Sequence, residues 1–245
     1  MAKVCLDAGH GGYDPGAVGP SGLKEKDVTL DVVLRVGKYL QQAGIEVVYT
    51  RTSDQVLWSA SKDLQARCDI ANQSGADLFI SVHCNSFSNP QAAGTETYSL
   101  STAGNGRKVA EFIQAELISA LNLTNRGLKT ANYYVLKRTS MPAALTEVAF
   151  ISNPREEALL RDPAFRDRAA LAITKGIAKY FGIDMLPAPV PQPGPAPNAV
   201  KIRIGNLVLD GLIIGNISYA PVRALAEALG RQVVWNEAEK AVDVR

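Results

Sequence analysis

Residues 27–50, DVTLDVVLRVGKYLQQAGIEVVYT, decide the fold class. Val28, Val32, Val36 and Leu40 recur at steps of four, laying one apolar stripe along a helix, and Gly44 stands where a helix ends. Asp27 is the expected cap. The IEVVYT that follows at once (45–50) is rich in β-branched and aromatic residues, which suits a strand. Upstream, VCLDAG (4–9) is another short apolar run, closed by glycine. Strand, helix and strand in this order point to a parallel, helix-covered sheet.

The alternation continues along the chain. A helical stretch around 62–74 stops at Gly75, and DLFISV (77–82) reads as a buried strand. GTETYSL (94–100) reads as a strand, 105–122 as a helix, YYVLK (133–137) and ALTEVAF (144–150) as strands, and 163–181 as a closing helix. The expected fold is α/β, a mostly parallel sheet flanked by helices.

Beyond it, PAPVPQPGPAP (187–197) alternates proline with other residues and favours extended polyproline II, spanning roughly 34 Å at about 3.1 Å per residue. This divides the chain into a domain over 1–184, a Pro-rich linker over 185–197 and a small α+β domain over 198–245. In the last, KIRIG, LVLDGLIIGN, QVVWN and AVDVR read as strands around one amphipathic helix, SYAPVRALAEALG (218–230). That domain has no His or Cys, which argues against a transition-metal or thiol site in it.

Composition excludes several classes. Of the 245 residues, 47% are hydrophobic and 20% charged, enough for a core and incompatible with wholesale disorder. The balance of 26 Lys and Arg against 24 Asp and Glu offers no electrostatic footprint for nucleic acid. No apolar run approaches the roughly 18–20 residues of a bilayer span, so no integral membrane segment is expected. Cys5, Cys68 and Cys84, with no CxxC spacing, read as buried reduced thiols. The chain opens on Lys3-Val4-Cys5-Leu6 without the basic, apolar and small-residue succession of a signal peptide.

The chemistry gathers around two histidines. His10 and His83 are the only ones in the chain, and each directly follows a predicted core strand, where open α/β sheets place their ligand sites. Neither lies in HExxH, so any metal ligands must converge from distant segments. A catalytic zinc takes three protein ligands of His or carboxylate type. The carboxylates near His10 are Asp7, Asp14, Glu25 and Asp27. Glu25 stands before the first helix, where a loop could fold it over the strand end; the competing reading is a surface carboxylate favoured by the helix dipole. The glycines around His10 imply tight turns, but the run GHGGYD breaks the GxGxxG pattern, and neither GxxxxGK[ST] nor GxSxG occurs. Glu147 sits inside the apolar run ALTEVAF. It is either an edge carboxylate facing solvent or a general base whose pKa burial raises.

LDAGHGGYDPGAVGPSGLKEKDV (6–28), YTRTSD (49–54), ARCDIAN (66–72), ADLFISVHCNS (76–86), AGTETYSL (93–100) and RGLKTANYYVLKRTSMPAALTEVAFISNP (126–154) resemble, in order, the zinc-dependent N-acetylmuramoyl-L-alanine amidases of the Amidase_3 type. The resemblance implies Zn2+ as cofactor, with His10, Glu25 and His83 as its ligands and Glu147 as catalytic acid and base. Asn85, in the family's His-x-Asn motif, would be a neighbouring polar support, or else a turn residue. The implied substrate is peptidoglycan, cut between the lactyl group of N-acetylmuramic acid and L-alanine of the stem peptide. Two departures are visible: Cys84 where alanine is frequent and Ala149 where glycine is usual.

PVRALAEALG followed by QVVWN resembles the small repeat named after the N-terminal domain of copper amine oxidases, which implies attachment to the cell wall. Trp235 and Tyr219 there, and Trp58 near the presumed site, either stack on sugars or belong to the packing. The expected setting is synthesis in the cytoplasm without a recognisable signal peptide and action on the cell wall after release, as in a phage endolysin or a lytic autolysin. The alternatives are a non-catalytic cell-wall-binding or regulatory protein and another zinc hydrolase acting on wall peptides.

Overall fold

The computed structural model describes residues 1–185 and, beyond them, the backbone of residues 199–204, 207–214, 217–219, 233–236 and 241–244, together with Ala226. The chain divides into two units, Met1–Leu186 and Pro187–Arg245. In the first, β1 (Lys3–Ala8), α1 (Glu25–Gln42), β2 (Glu46–Tyr49), α2 (Asp63–Gln73), β3 (Leu78–Asn85), β4 (Thr95–Ser99), α3 (Gly104–Leu121), β5 (Asn125–Thr130), α4 (Tyr134–Arg138), β6 (Ala143–Phe150), α5 (Pro154–Arg161) and α6 (Pro163–Phe181) follow one another. The strands form one sheet in the order β2-β1-β3-β6-β4-β5. All its ladders are parallel except β4 against β6. The expected α/β architecture with a mostly parallel sheet is what forms.

Strand periodicity separates the two faces of this sheet. From β3, Leu78, Ile80, Val82 and Cys84 enter a large core that also takes Val32, Val36 and Leu40 of α1, Ile113 and Leu117 of α3, and Ile173 of α6. Phe79, of opposite parity, joins a smaller cluster with Cys5, Cys68, Val135, Leu136 and Leu145. All three cysteines are buried and unpaired, as expected.

Several expectations need correction. Helix α1 begins at Glu25, two residues before the expected cap, so Asp27 lies exposed in its first turn. Residues 134–138 form a helix rather than a strand: Val135 and Leu136 are both buried in one cluster, whereas consecutive strand residues would face opposite sides. Strand β5 and helix α5 were not expected. His83 lies within β3 rather than after it, because that strand runs three residues further than DLFISV.

In the second unit, β7 (Ala199–Ile204), β8 (Leu207–Ile214) and β9 (Ile217–Tyr219) make an antiparallel sheet, and β10 (Val233–Asn236) pairs antiparallel with β11 (Ala241–Val244). Ser218 and Tyr219, expected to begin a helix, belong to β9. The rest of that helix, Ala226 aside, and the proline run 187–197 lie outside the described residues. Among the described residues no helix is long and apolar enough to cross a membrane.

Candidate active site

The site is a row drawn across the sheet. His83 on β3 pairs with Glu147 on β6, and Glu147 pairs in turn with Glu96 on β4. Directly paired residues point to the same side, so these three side chains share the face opposite the large core. His10 lies just past the end of β1, and Glu25 opens α1. These strand ends in an open α/β sheet are where ligands bind. His10, Glu25, His83, Asn85, Tyr133 and Glu147 line a common cavity of about 340 Å³.

His10, Glu25 and His83 each offer a ligand atom, all within 4.8 Å of one another. The Nε2 of His10 lies 3.1 Å from Oε2 of Glu25, and Nδ1 of His83 lies 2.9 Å from Oε1. Glu25 is buried, and its carboxylate also accepts from the backbone amides of Ala17 and Cys84, both at 2.9 Å. Burial alone would raise its pKa, but hydrogen bonds from both histidines and their charges hold it well below the carboxylate range. Burial likewise opposes protonation of His10, yet Glu25 and then Asp14 outweigh it and lift His10 to about 9. Two imidazole nitrogens and one carboxylate, with the charge already favoured on the carboxylate, form a donor set that can hold a divalent cation of the zinc type.

Local backbone detail makes the convergence possible. His10 adopts a left-handed φ of 62°, uncommon for a non-glycine residue. Two buried arginines hold it there. Arg67 donates to the carbonyls of Ala8 and His10, each at 2.7 Å, and Arg51 to those of Ala8 at 3.0 Å and Gly9 at 2.8 Å. Asp14 accepts from Nδ1 of His10 at 2.7 Å, which turns Nε2 toward Glu25. A Cβ on Gly9 would lie 2.3 Å from the His83 ring, so glycine makes the space for that imidazole.

Asp7 has a different task. It accepts from Arg67 at 2.8 Å, Thr50 at 2.7 Å and Ser81 at 2.6 Å beneath the site. Of the four carboxylates near His10, Glu25 joins the cluster, Asp14 orients a ligand, Asp7 anchors Arg67 and Asp27 faces solvent. Cys84 packs in the large core, where burial drives its thiol well above the ordinary range, and the convergent ligand atoms are those of His10, Glu25 and His83. Trp58 donates from Nε1 to Asp63 at 2.7 Å and stacks on Arg67 at 5.5 Å.

Glu147 stands apart from the cluster in state. Its Oε2 is shielded from solvent and has no hydrogen-bond partner among the described residues. Burial first, with nearby Glu25 and Glu96 adding to it against His83 and His10, raises its pKa to about 7. Asn85 does not turn to the cluster: its Nδ2 donates to Glu96 at 2.7 Å. Glu96 is buried and accepts as well from Tyr98 at 2.6 Å, Arg126 at 2.6 Å and Lys129 at 2.5 Å. Sequence reasoning missed Glu96, Arg67 and Arg51. Glu96 shared one signal with Glu147, a carboxylate inside a strand-like run.

A cluster able to hold one metal ion beside a carboxylate oxygen with no partner among the described residues supplies the groups that metal-assisted hydrolysis calls for. Residues 4–179 match the Amidase_3 family, N-acetylmuramoyl-L-alanine amidase, and the chain belongs to that family. The germination-specific N-acetylmuramoyl-L-alanine amidase of Bacillus subtilis (strain 168) is 41% identical over 188 residues, spanning 73% of this chain and 79% of that protein. N-acetylmuramoyl-L-alanine amidase LytC of the same organism is 39% identical over 180 residues, 73% of this chain and 35% of its own length. Among solved structures, the catalytic domain of CwlV from Bacillus (Paenibacillus) polymyxa var. colistinus matches with a TM-score of 0.70 and 38% identity, over 75% of this chain and 100% of that one. The CwlD amidase from Clostridioides difficile, solved in complex with the GerS lipoprotein, matches with a TM-score of 0.71 and 31% identity, again over 75% and 100%.

Proposed function

We propose that this protein is a zinc-dependent N-acetylmuramoyl-L-alanine amidase that cuts peptidoglycan between the lactyl carbonyl of N-acetylmuramic acid and the amine of L-alanine. The observation that carries the reading is the pairing, in one cavity, of the His10–Glu25–His83 cluster with a Glu147 oxygen that has no other occupation. His10, Glu25 and His83 would hold the metal. When bound there, zinc supplies Lewis acidity that polarises the scissile carbonyl and makes water a competent nucleophile near neutral pH.

The chain's own groups do the rest. Asp14, Arg51 and Arg67 keep His10 in its left-handed conformation with Nε2 presented to the cavity. Glu147, with a pKa near neutrality, takes a proton from the attacking water and delivers it to the departing amine. Its position in a strand, rather than a loop, fixes the carboxylate between the ligand cluster and Glu96. In the second unit, the resemblance of PVRALAEALG and QVVWN to a wall-enzyme repeat supports a role in attachment to the polymer. The setting we favour is release onto the wall, as for an endolysin or autolysin.

Digestion of purified peptidoglycan tests the reading. New N-terminal alanine without new reducing sugar, lost on chelation and restored by zinc, is the expected result. New reducing ends, or release indifferent to chelation, would contradict it.

A further inference from the structure

A second pocket, of about 380 Å³, lies beside the catalytic cavity and shares Asn85 with it. Glu96, Tyr98, Arg126 and Phe150 contribute to its lining. Glu96 is one strand over from Glu147 in the same ladder, and neighbouring strands lie about 4.8 Å apart. An extended peptide advances roughly 3.3–3.6 Å per residue, so one leaving the Glu147 carboxylate across the sheet arrives here within two or three residues.

Arg126 is the cation of the pocket lining, and Lys129, outside the lining, reaches the same buried carboxylate. Glu96 is its buried anion, and both its oxygens are saturated: Oε1 accepts from Asn85 and Tyr98, Oε2 from Arg126 and Lys129. Two cations therefore face one anion. Arg126 spends Nε on Glu96, while its Nη1 makes a single contact, at 3.4 Å to the carbonyl of Ala93, and its Nη2 has no partner among the described residues. The guanidinium also stacks on Phe150 at 4.7 Å, which fixes the plane in which its outer edge is presented. Lys129 stands 5.9 Å over the Tyr98 ring with donors to spare.

We propose that this pocket is a subsite for a carboxylate of the stem peptide, with Arg126 as its principal ligand and Lys129 beside it. The inference rests on the amidase reading above. A planar donor edge with net positive charge selects a carboxylate over a sugar hydroxyl or an amine. The first free carboxylate beyond the scissile amide is that of a γ-linked glutamate in the second position of the stem, which matches the reach. Glu96 then has a positioning role, holding both cations and Asn85 between the subsite and the catalytic carboxylate.

Steady-state kinetics on two muramyl tripeptides test this, one with the free α-carboxylate on the second residue and one with its carboxamide. The wild type should prefer the acid by about tenfold in kcat/KM, expressed in KM, as one charge-assisted contact provides. Arg126→Gln should bring the ratio of acid to amide close to one, and Arg126→Lys should keep part of the preference. If Arg126→Gln does not fold, Lys129→Gln, which leaves Arg126 on Glu96, should still lower the ratio. Equal use of both peptides by the wild type, or an equal loss on both in the variants, would overturn the subsite alone. Cleavage of neither peptide by the wild type would overturn the amidase reading and the subsite with it.

Discussion

The two faces of the β3–β6–β4 sheet are built from the same strands and do opposite work. On one side Leu78, Ile80 and Val82 meet α1, α3 and α6 in a large apolar core. On the other the same strand presents Phe79, then Ser81, then His83, and apolar packing gives way within one step to the buried Asp7–Arg67 pair and the site. Period-two alternation thus lets one strand secure the fold with one parity and hold reactive groups with the other. Substitutions on the packed face should cost stability, and those on the site face should cost turnover.

Glu147→Gln should break the site face most deeply. Loss of the proton carrier should lower amide cleavage by about 10²–10⁴-fold. The same change replaces a half-buried carboxylate whose shielded Oε2 has no partner among the described residues, so the melting temperature should hold or rise, read by thermal unfolding. A large fall in melting temperature would mean that Glu147 also serves packing.

Arg67→Met probes where the faces cease to be independent. It leaves Asp7 buried without its cation and should cost about 3–5 kcal/mol in denaturant unfolding, with activity falling as well because the His10 carbonyl loses its donor.

A matched pair of glycine substitutions sharpens the contrast. At Gly176 on α6 an added Cβ would lie 2.6 Å from Cα of Ile113, a backbone atom that cannot swing aside, so Gly176→Ala should cost about 1–3 kcal/mol. At Gly9 the obstacle is the His83 ring. Gly9→Ala should cut activity by about a hundredfold through displacement of that ring, with a smaller loss of stability.

Acid gives the smallest effect. Burial tends to raise the Asp7 pKa, but the charge of Arg67 and hydrogen bonds from Ser81 and Thr50 outweigh it and leave it below the ordinary value. Protonation therefore favours the unfolded chain. The Asp7 contribution is complete above an unfolded pKa of about 3.9 and is lost as pH falls through the lower folded value. Unfolding midpoints recorded from pH 5 to pH 3 should decline more steeply for the wild type than for Asp7→Asn.

Much of this arrangement was legible in the sequence because it was periodic or chemically rare. The stripe Val28, Val32, Val36, Leu40 revealed α1, and two histidines at strand ends, with the family resemblance, pointed to His10, Glu25, His83 and Glu147. What escaped was set by tertiary packing. YYVLK has too few residues for periodicity to separate strand from helix, and burial of adjacent Val135 and Leu136 decided for the helix. Helix α5 did carry a readable start, Asn153 capping Arg155 and Glu156 ahead of Pro154 at the first turn. Arg67 looks like an ordinary surface charge in sequence, and Glu96, though set in a strand-like run as Glu147 is, carries no hint of its cationic partners; only the contacts brought by distant segments reveal both as buried anchors.

The proposed site divides its labour: Glu25 would hold the metal with the two histidines while Glu147 would stay free to move the proton. Zinc content per chain, measured together with the appearance of new N-terminal alanine in digested peptidoglycan for wild type, Glu147→Gln and Glu25→Ala, tests this division most directly. Glu147→Gln should keep one zinc per chain while new N-terminal alanine falls by about 10²–10⁴-fold, whereas Glu25→Ala should lose both metal and activity. A Glu147→Gln protein that no longer binds zinc, or a Glu25→Ala protein that binds it as the wild type does, would contradict the account.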